Sequence, residues 1–179
     1  MDEMTVRLRA LEDRALLWDL VLRYCVAVDD RDLDGVLRLF APGAVFTHGD
    51  GRVLSEGKEA IGSYYRQVFD VMGPSVHKPY NQLLDDAGEI TATGIVQSGV
   101  EMALDGRSFR GAMRYYDDYL RADDGWKFAR RELRFWYLMP EEEMKQGLAG
   151  KLRRRWPDPP SATPLPEALD TWKRYYACD

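Results

Sequence analysis

Apolar residues recur at helical spacing in the first part of the chain. From about Leu11 to Val28 they predict one helix, with an apolar stripe that includes Ala15, Leu16, Leu20, Leu22, Cys25 and Val26. A second, short helix is predicted after Asp32, which can cap it, because Leu33, Val36, Leu37 and Phe40 follow at i, i+3, i+4 and i+7. The segment EGKEAIGSYYRQVFDVMG predicts a third helix, which Gly73 and Pro74 end.

Polar and apolar residues alternate after Pro74, as they do in strands with one buried face. Before the third helix, APGAVFTHGDGRVL predicts a strand, a Gly-Asp-Gly turn and a short returning strand. Four longer strands are predicted at about Val76–Leu84, Ile90–Leu104, Ser108–Arg121 and Trp126–Leu138. Short turns rich in Asp and Gly join them, so neighbours should be antiparallel. Helices followed by a meander indicate an α+β fold, with the helices packed on one face of a twisted sheet.

The same alternation assigns side chains to the two faces of the sheet. The apolar sets are Val96, Ser98, Val100, Met102 and Leu104; then Phe109, Met113, Tyr115, Asp117 and Tyr119; then Ala129, Arg131, Leu133, Phe135 and Tyr137. An arginine in such a set must find an anion or extend out of the core. For Arg131, an ion pair with Asp117 or a neighbouring acid is the structural alternative to a role in a site. The face of His77 is not assigned, because Pro79 and mixed polarity blur the alternation.

The last forty residues have a different character from the rest of the chain. PEEEMKQGLAGKLRRRW predicts a helix whose KLRRRW cluster is a solvated face; PDPPSATPLP predicts a linker; and EALDTWKRYYACD predicts a last short helix. We therefore divide the chain into one domain, residues 1–139, and a helical, proline-interrupted extension, residues 140–179. Such an extension can cover its own domain or cross to a partner subunit, and the sequence does not choose.

Composition limits the classes of partner. A net charge of −5 and a pI near 5.2 give no electrostatic footprint for nucleic acid or an anionic membrane. The two cysteines, Cys25 and Cys178, have no metal-ligand spacing, and the acidic N-terminus does not resemble a signal peptide, so we expect a cytoplasmic protein. Ten tyrosines and five tryptophans suit a pocket with apolar walls and a few polar groups.

Two kinds of residue are candidates for chemistry. Asp29 follows the apolar end of the first helix, near the stripe of Leu22, Cys25 and Val26, where the helix dipole disfavours a negative charge. A carboxylate there needs a partner, and a histidine would serve. The chain has two histidines, His48 and His77. A solvated or hydrogen-bonded core position is the structural alternative for each.

The order of these segments resembles a known family. RYCVAVDDRDLDGVLRLFAPGAVF, then SEGKEAI, then a strand histidine, then YYDDYLRADDGWKFARR are similar to the SnoaL-like branch of the nuclear-transport-factor-2-like superfamily. That branch includes polyketide cyclases, scytalone dehydratase, the bile-acid 7α-dehydratase and the hexachlorocyclohexane dehydrochlorinase. The resemblance covers about Leu11 to Leu138 and implies a cone-shaped fold, in which a strongly curved, mostly antiparallel sheet wraps around the helices and encloses an apolar pocket.

The resemblance also implies site residues. It places a catalytic histidine at His77, a partner carboxylate at Asp29 and a tyrosine at Tyr24. Where some relatives have a further tyrosine this chain has His48, and Arg131 (or Arg130, after a one-residue shift) matches a pocket arginine. Several relatives carry another His or Asp on the wall that here holds Val96, Ser98, Val100 and Met102, so the acid must come from His77 itself, His48, Tyr24 or Tyr115.

These residues predict a cofactor-independent lyase or cyclase of dehydratase or polyketide-cyclase type. His77, oriented by Asp29, would remove a proton from carbon in an apolar cavity with Tyr24, His48, Met113, Tyr115 and Arg131 as substrate-binding residues. We expect a hydrophobic polycyclic, polyketide or steroid-like substrate, no cofactor, no metal, and a homo-oligomer in which a dimer is favoured over a trimer. The alternative is a non-catalytic binding or dimerisation module of the same fold, which a filled cavity or a solvent-facing His77 would favour.

Overall fold

The computed structural model describes residues 2–50 and 54–177. Its helices are α1 (Glu3–Asp29), α2 (Leu33–Arg38), α3 (Gly57–Val71) and α4 (Asp170–Tyr176). Its strands are β1 (Phe40–His48), β2 (Leu54–Glu56), β3 (Met72–Ala87), β4 (Thr91–Leu104), β5 (Arg107–Ala122) and β6 (Gly125–Pro140). None of the described helices is long and apolar enough to cross a membrane.

The six strands form one sheet in the order β2-β1-β6-β5-β4-β3. β1 and β6 pair in parallel, and every other neighbouring pair is antiparallel. The sheet curves around α1 and α3, and the main apolar core lies between them. The expected α+β fold, with N-terminal helices on a curved and mostly antiparallel sheet, is confirmed.

A tight hairpin joins β4 and β5, as the sequence predicts. Asp105 and Gly106 both have positive φ, 50° and 73°. A two-residue hairpin turn needs this left-handed backbone at both positions, and Asp-Gly adopts it readily.

The buried face of α1 differs from the predicted stripe. The helix begins at Glu3, where the Asp2 side chain caps it by accepting a hydrogen bond from the Thr5 amide at 2.8 Å. Leu16, Leu22 and Val26, which belong to the predicted stripe, are exposed. Leu20 and Cys25 of the predicted stripe are buried, and the other buried apolar residues of the helix include Leu17, Val21, Tyr24 and Val28. Both sets have helical periodicity, and packing against the sheet selects the one with the larger aromatic and aliphatic contacts.

Two bulges in β6 shift its alternation. Ala129 and Trp136 have no counterpart on β5, because Phe128 pairs with Tyr119 and Arg130 with Asp118, while Phe135 pairs with Met113 and Tyr137 with Ala112. Each extra residue reverses the face of the residues that follow it. The prediction that Ala129 and Tyr137 share the buried face is therefore wrong. That face holds Trp126, Phe128, Arg131, Leu133, Phe135 and Leu138.

The predicted helix in the extension is wrong. Residues 141–149 form two 3₁₀ turns, and the chain then runs extended, with bridges from Arg154 to Leu138 and to Ser161. Arg153 and Arg154 are buried, so the KLRRRW cluster is not a solvated face. The proline-rich segment packs back on the same chain, and Leu165 is fully buried. The predicted last helix is present as α4; Cys178 and part of the Gly-Asp-Gly turn lie outside the described residues.

Candidate active site

An apolar cavity lies between the helices and the concave side of the sheet. The cavity and its open mouth together contain about 580 Å³ of space outside protein atoms. Its lining is mainly aromatic and aliphatic: Tyr24, Val28, Phe46, His48, Tyr64, Tyr65, Val68, Met72, His77, Val100, Met102, Met113, Tyr115, Leu133, Phe135, Leu138, Arg154 and Trp156.

His77 and Asp29 meet at one wall of this cavity. His77 Nδ1 lies 2.7 Å from Asp29 Oδ1, and the His77 amide donates to Asp29 Oδ2 at 2.7 Å. Ser75 Oγ donates to the same carboxylate at 2.8 Å. Burial raises the pKa of Asp29, but the hydrogen bonds from His77 and Ser75 outweigh burial and lower the pKa overall, so the group is a carboxylate near neutral pH. A carboxylate only accepts, so Nδ1 carries a hydrogen, and in the neutral imidazole Nε2 therefore has the lone pair.

The His77 side chain points inward, although the polar and apolar pattern of the strand does not show which face it occupies. Ser75 and the His77 side chain are buried, while Val76 between them is half exposed. Further along, Pro79 pairs with Ser98 and Asn81 with Gln97, so Tyr80 is an extra residue in a bulge. This bulge changes the face of the residues after it, which is why a single alternation does not fit the whole strand.

Arg31 is a site residue that the sequence reasoning missed. Its guanidinium donates to the Val28 carbonyl at 2.8 Å, to the Met72 carbonyl at 3.1 Å and to the Gly73 carbonyl, and also to Ser75 Oγ at 3.1 Å. It thereby ties the end of α1 to the start of β3, the two elements that carry Asp29 and His77. The signal that could have found it is the need of helix-terminal carbonyls for a donor, which a nearby arginine supplies.

We expect Arg31→Met to lower the free energy of unfolding by about 1–3 kcal/mol, because several partly buried acceptors lose a charged donor. The backbone of Arg31 has φ 61°, a left-handed conformation that the remaining contacts must then hold alone. Urea denaturation at neutral pH measures the change. Arg38→Met is the matched control, since Arg38 is exposed and contacts Asp32 at 3.4 Å, and should change stability by less than about 0.5 kcal/mol. Equal small losses in both variants would contradict the assigned role.

His48 lies in the same cavity, between a tyrosine and an arginine. Its Nε2 is 3.2 Å from the Tyr64 hydroxyl, and Arg154 Nη2 is 3.4 Å from its Nδ1. Burial, and next the positive charge of Arg154, lower the pKa of His48 to about 4, against a smaller opposite effect of Asp50. His48 is therefore neutral near pH 7. This makes it unsuitable as an imidazolium acid, one of the roles left open by the sequence.

We expect the free energy of unfolding to decrease at acidic pH because of His48. The pKa of His48 is about 4 in the folded protein and 6.5 as an unperturbed group. The contribution of His48 to the free energy of unfolding is therefore complete above pH 6.5 and is lost as the pH falls towards 4. Between pH 7 and pH 4.5 we expect the free energy of unfolding to drop by roughly 2–3 kcal/mol more in the native protein than in His48→Gln. Urea denaturation at the two pH values gives the difference. Parallel losses in both proteins would contradict a neutral, buried His48.

The other predicted binding residues line the cavity between the two histidines. Tyr24 and Tyr65 share a hydrogen bond of 2.5 Å between their hydroxyl oxygens. Tyr115 packs edge-to-face on Tyr24 with ring centroids 6.0 Å apart, and Met113 lies beside it on β5. Burial raises the pKa of both Tyr24 and Tyr115, so both remain neutral hydroxyls.

Arg131 does not line the cavity. It is fully buried beneath it and makes two hydrogen bonds of 2.9 Å to Asp117. Burial opposes its charge, but Asp117 outweighs burial and raises the pKa of Arg131 above its usual range. Its guanidinium also lies 4.2 Å from the ring centroid of Tyr24 and 4.1 Å from that of Tyr115. The structural alternative, an ion pair with Asp117, matches this geometry, and Arg131 supports the two tyrosines from behind.

The β4 wall of the cavity carries no ionisable group, in agreement with the sequence. Val100 and Met102 contribute to it, and Val96 and Ser98 are buried on the same face. Within residues 2–50 and 54–177, no group of three or more His, Cys, Asp or Glu side chains is placed to hold a metal ion. The described side chains with polar atoms that line the cavity are the two histidines, the tyrosines, Arg154 and Trp156.

Comparison with known proteins shows the family of the chain. The family model for the SnoaL-like domain matches residues 9–132, more than half of the chain. The chain belongs to the SnoaL-like family. Its solved relatives lie in the nuclear-transport-factor-2-like superfamily and include scytalone-dehydratase-like proteins. No curated protein matches the sequence.

Three solved structures illustrate the range of this SnoaL-like fold. One, named as an aromatic ring hydroxylase from Novosphingobium aromaticivorans, is 30% identical, with a TM-score of 0.69 over 73% of this chain and 94% of that one. The LinA-type3 hexachlorocyclohexane dehydrochlorinase from Novosphingobium barchaimii is 24% identical, with a TM-score of 0.69 over 76% and 95%. A structure named for scytalone dehydratase, from Novosphingobium aromaticivorans, is 17% identical, with a TM-score of 0.68 over 73% and 88%. The last two show a shared fold, and these names span different reactions.

Proposed function

We propose that this SnoaL-like protein is a cofactor-independent lyase or cyclase that acts on a hydrophobic, polycyclic or polyketide-like substrate. The observation that carries the proposal is the 2.7 Å contact between His77 Nδ1 and Asp29 Oδ1 at the wall of an apolar cavity. The names of two solved relatives, a dehydrochlorinase and a scytalone dehydratase, support an elimination over other chemistry.

The chemistry follows from the hydrogen-bond pattern. Asp29 holds the hydrogen of His77 on Nδ1, which leaves Nε2 to take a proton from a carbon atom of the substrate. The imidazolium that forms is stabilised by the Asp29 carboxylate. His77 then returns the proton to the leaving group, for example to a hydroxyl that departs as water. The same residue then acts as base and as acid, which is compatible with a β4 wall that carries no ionisable group.

The geometry favours catalysis over the binding-module alternative. The alternative expects a filled cavity or a histidine that faces solvent. Here His77 lines an apolar cavity instead of facing solvent, and its side chain is only 8% exposed. Burial of a histidine and a carboxylate has an unfavourable desolvation free energy. A pocket that only binds an apolar molecule does not require such a pair.

The test is a search for proton removal from carbon. The native protein is incubated in deuterated water with 3-hydroxy-1-tetralone, a cyclic β-hydroxy ketone, and with a halogenated cyclohexane, and both are followed by NMR. Exchange of the C–H next to the carbonyl, or elimination of water or halide, above the rate with free imidazole supports the proposal. Saturable binding of the ketone with neither exchange nor elimination would instead identify a binding module.

A further inference from the structure

His48, Tyr64 and Arg154 come together in the cavity from three separate parts of the chain. His48 ends β1, Tyr64 lies on α3, and Arg154 belongs to the extension that follows the SnoaL-like match. His48 Nε2 is 3.2 Å from the Tyr64 oxygen, and Arg154 Nη2 is 3.4 Å from His48 Nδ1. All three line the cavity that also contains His77.

Arg154 sets the direction of these hydrogen bonds. A guanidinium has donors and no acceptor, so Arg154 donates and His48 Nδ1 accepts. The neutral imidazole then carries its hydrogen on Nε2 and donates it to the Tyr64 oxygen. The Tyr64 hydroxyl has no other hydrogen-bond partner among the residues that the structure describes, and its own hydrogen is left for a molecule in the cavity. Burial raises the pKa of Tyr64, which keeps this hydroxyl protonated.

We propose that Arg154, His48 and Tyr64 form a one-way hydrogen-bond relay that polarises a carbonyl oxygen of the substrate opposite the base His77. This inference rests on the proposed function and makes its substrate class narrower: a neutral ketone, enone or ester. The carboxyl-terminal extension is then part of the active site, because it supplies the charged end of the relay.

The charges around the relay select a neutral carbonyl over a carboxylate. Arg154 forms an ion pair with Asp50 at the far end of the relay. Phe46 and Phe135 pack on the His48 ring, with centroids 5.8 and 6.1 Å away. The group that the relay presents to the cavity is the uncharged Tyr64 hydroxyl. Such a donor stabilises negative charge that develops during a reaction more than charge already present.

The proposed step balances as an enolisation followed by elimination. The C–H bond breaks, its proton goes to His77 Nε2, and its electron pair forms the C=C bond while the carbonyl π pair moves to oxygen. The Tyr64 hydroxyl donates to that oxygen. The carbonyl then re-forms, the electron pair of the enolate C=C bond forms a Cα=Cβ bond, and the Cβ–O bond breaks. The departing hydroxyl oxygen takes the proton from His77 and leaves as water.

The first test is the tautomer of His48, which needs no substrate and no folding-sensitive variant. Long-range ¹⁵N NMR of the native protein between pH 6 and 8 should show His48 with a hydrogen on Nε2 and none on Nδ1; His77→Gln, which leaves one histidine, assigns the signal. A hydrogen on Nδ1, or an imidazolium in this range, would overturn the relay. In Arg154→Met the Nε2 preference should weaken towards a mixture of tautomers, while the neighbouring control Arg155→Met keeps the native spectrum.

The second test uses 2-naphthol as a probe that resembles a bicyclic enol. We expect Tyr64→Phe to weaken its binding roughly tenfold, the effect of one lost hydrogen bond, and to leave naphthalene binding unchanged. Equal affinity of 2-naphthol for native and Tyr64→Phe protein would refute the relay. Because both tests measure binding or tautomer, the relay can fail while His77-dependent turnover persists. Equally, the relay can be present in a protein that catalyses no proton transfer, in which case only the proposed function fails.

Discussion

Asp117→Asn should lower the free energy of unfolding by about 3–5 kcal/mol, a large effect for a single isosteric change. Asp117 and Arg131 are both fully enclosed and joined by two hydrogen bonds of 2.9 Å. Loss of the carboxylate charge leaves a guanidinium buried without a counter-ion, among the rings of Tyr24, Tyr115 and Phe128. Urea or thermal denaturation at neutral pH measures the loss.

The neighbouring residue provides the control for this prediction. Asp118 is exposed on the opposite face of β5, and Asp118→Asn should change stability by less than about 0.5 kcal/mol. The double variant Asp117→Leu, Arg131→Met should recover much of the loss, because a buried ion pair replaced as a unit by apolar side chains costs little. A loss below about 1 kcal/mol for Asp117→Asn would show that water or another group compensates Arg131.

The pairing of His77 with Asp29 could be predicted because each residue is recognised from its own sequence segment and from the order of the segments along the chain. A carboxylate at the end of a helix needs a donor, and the resemblance supplied a strand histidine at the right place in the order of elements. Arg131 is similar: its place among apolar residues required an anion, and Asp117 was on the matching face of the neighbouring strand. In each case a charged group in an apolar setting requires a partner, and this requirement predicts which residue lies next to it.

The parts that could not be predicted depend on contacts between distant segments. Arg154 is buried because its strand-like segment pairs with Leu138 and Ser161, whereas by composition KLRRRW is an ordinary charged run. Tyr64 has the same helical spacing as its apolar neighbours on α3, and nothing in the sequence marks its contact with His48. Arg31 sits among four aspartates, and its role depends on how β3 begins.

The bulges are the second source of error, and they matter for the site. Single extra residues at Tyr80, Ala129 and Trp136 break the two-residue period that assigns side chains to faces. They also increase the local twist and bend of the strands, and a curved sheet is what encloses the cavity. The same bulges that interrupt the alternation of side chains therefore contribute to the curvature of the sheet around the cavity.

His77→Gln should reduce kcat/KM by about 10²–10⁴-fold for any substrate that the native protein turns over, because glutamine cannot accept the proton from carbon. The measurement is the rate of C–H exchange or elimination at saturating and limiting substrate. KM should change little, since the apolar lining and the tyrosines that hold the substrate stay in place. Lys78→Gln is the matched control: Lys78 is the next residue on β3, faces outward, and pairs with Glu101 at 2.7 Å, so native kinetics are expected.

Asp29→Asn distinguishes a working pair from two independent residues. An asparagine can turn its amide towards Nδ1, which places the imidazole hydrogen on Nε2 and removes the lone pair that serves as base. The loss in kcat should therefore approach that of His77→Gln. The double variant should be no slower than His77→Gln alone, because residues that act as a unit are not additive. Multiplicative losses, or an Asp29→Asn protein with native kcat, would mean that His77 does not depend on Asp29, and the elimination mechanism would have to be assigned to other groups in the cavity.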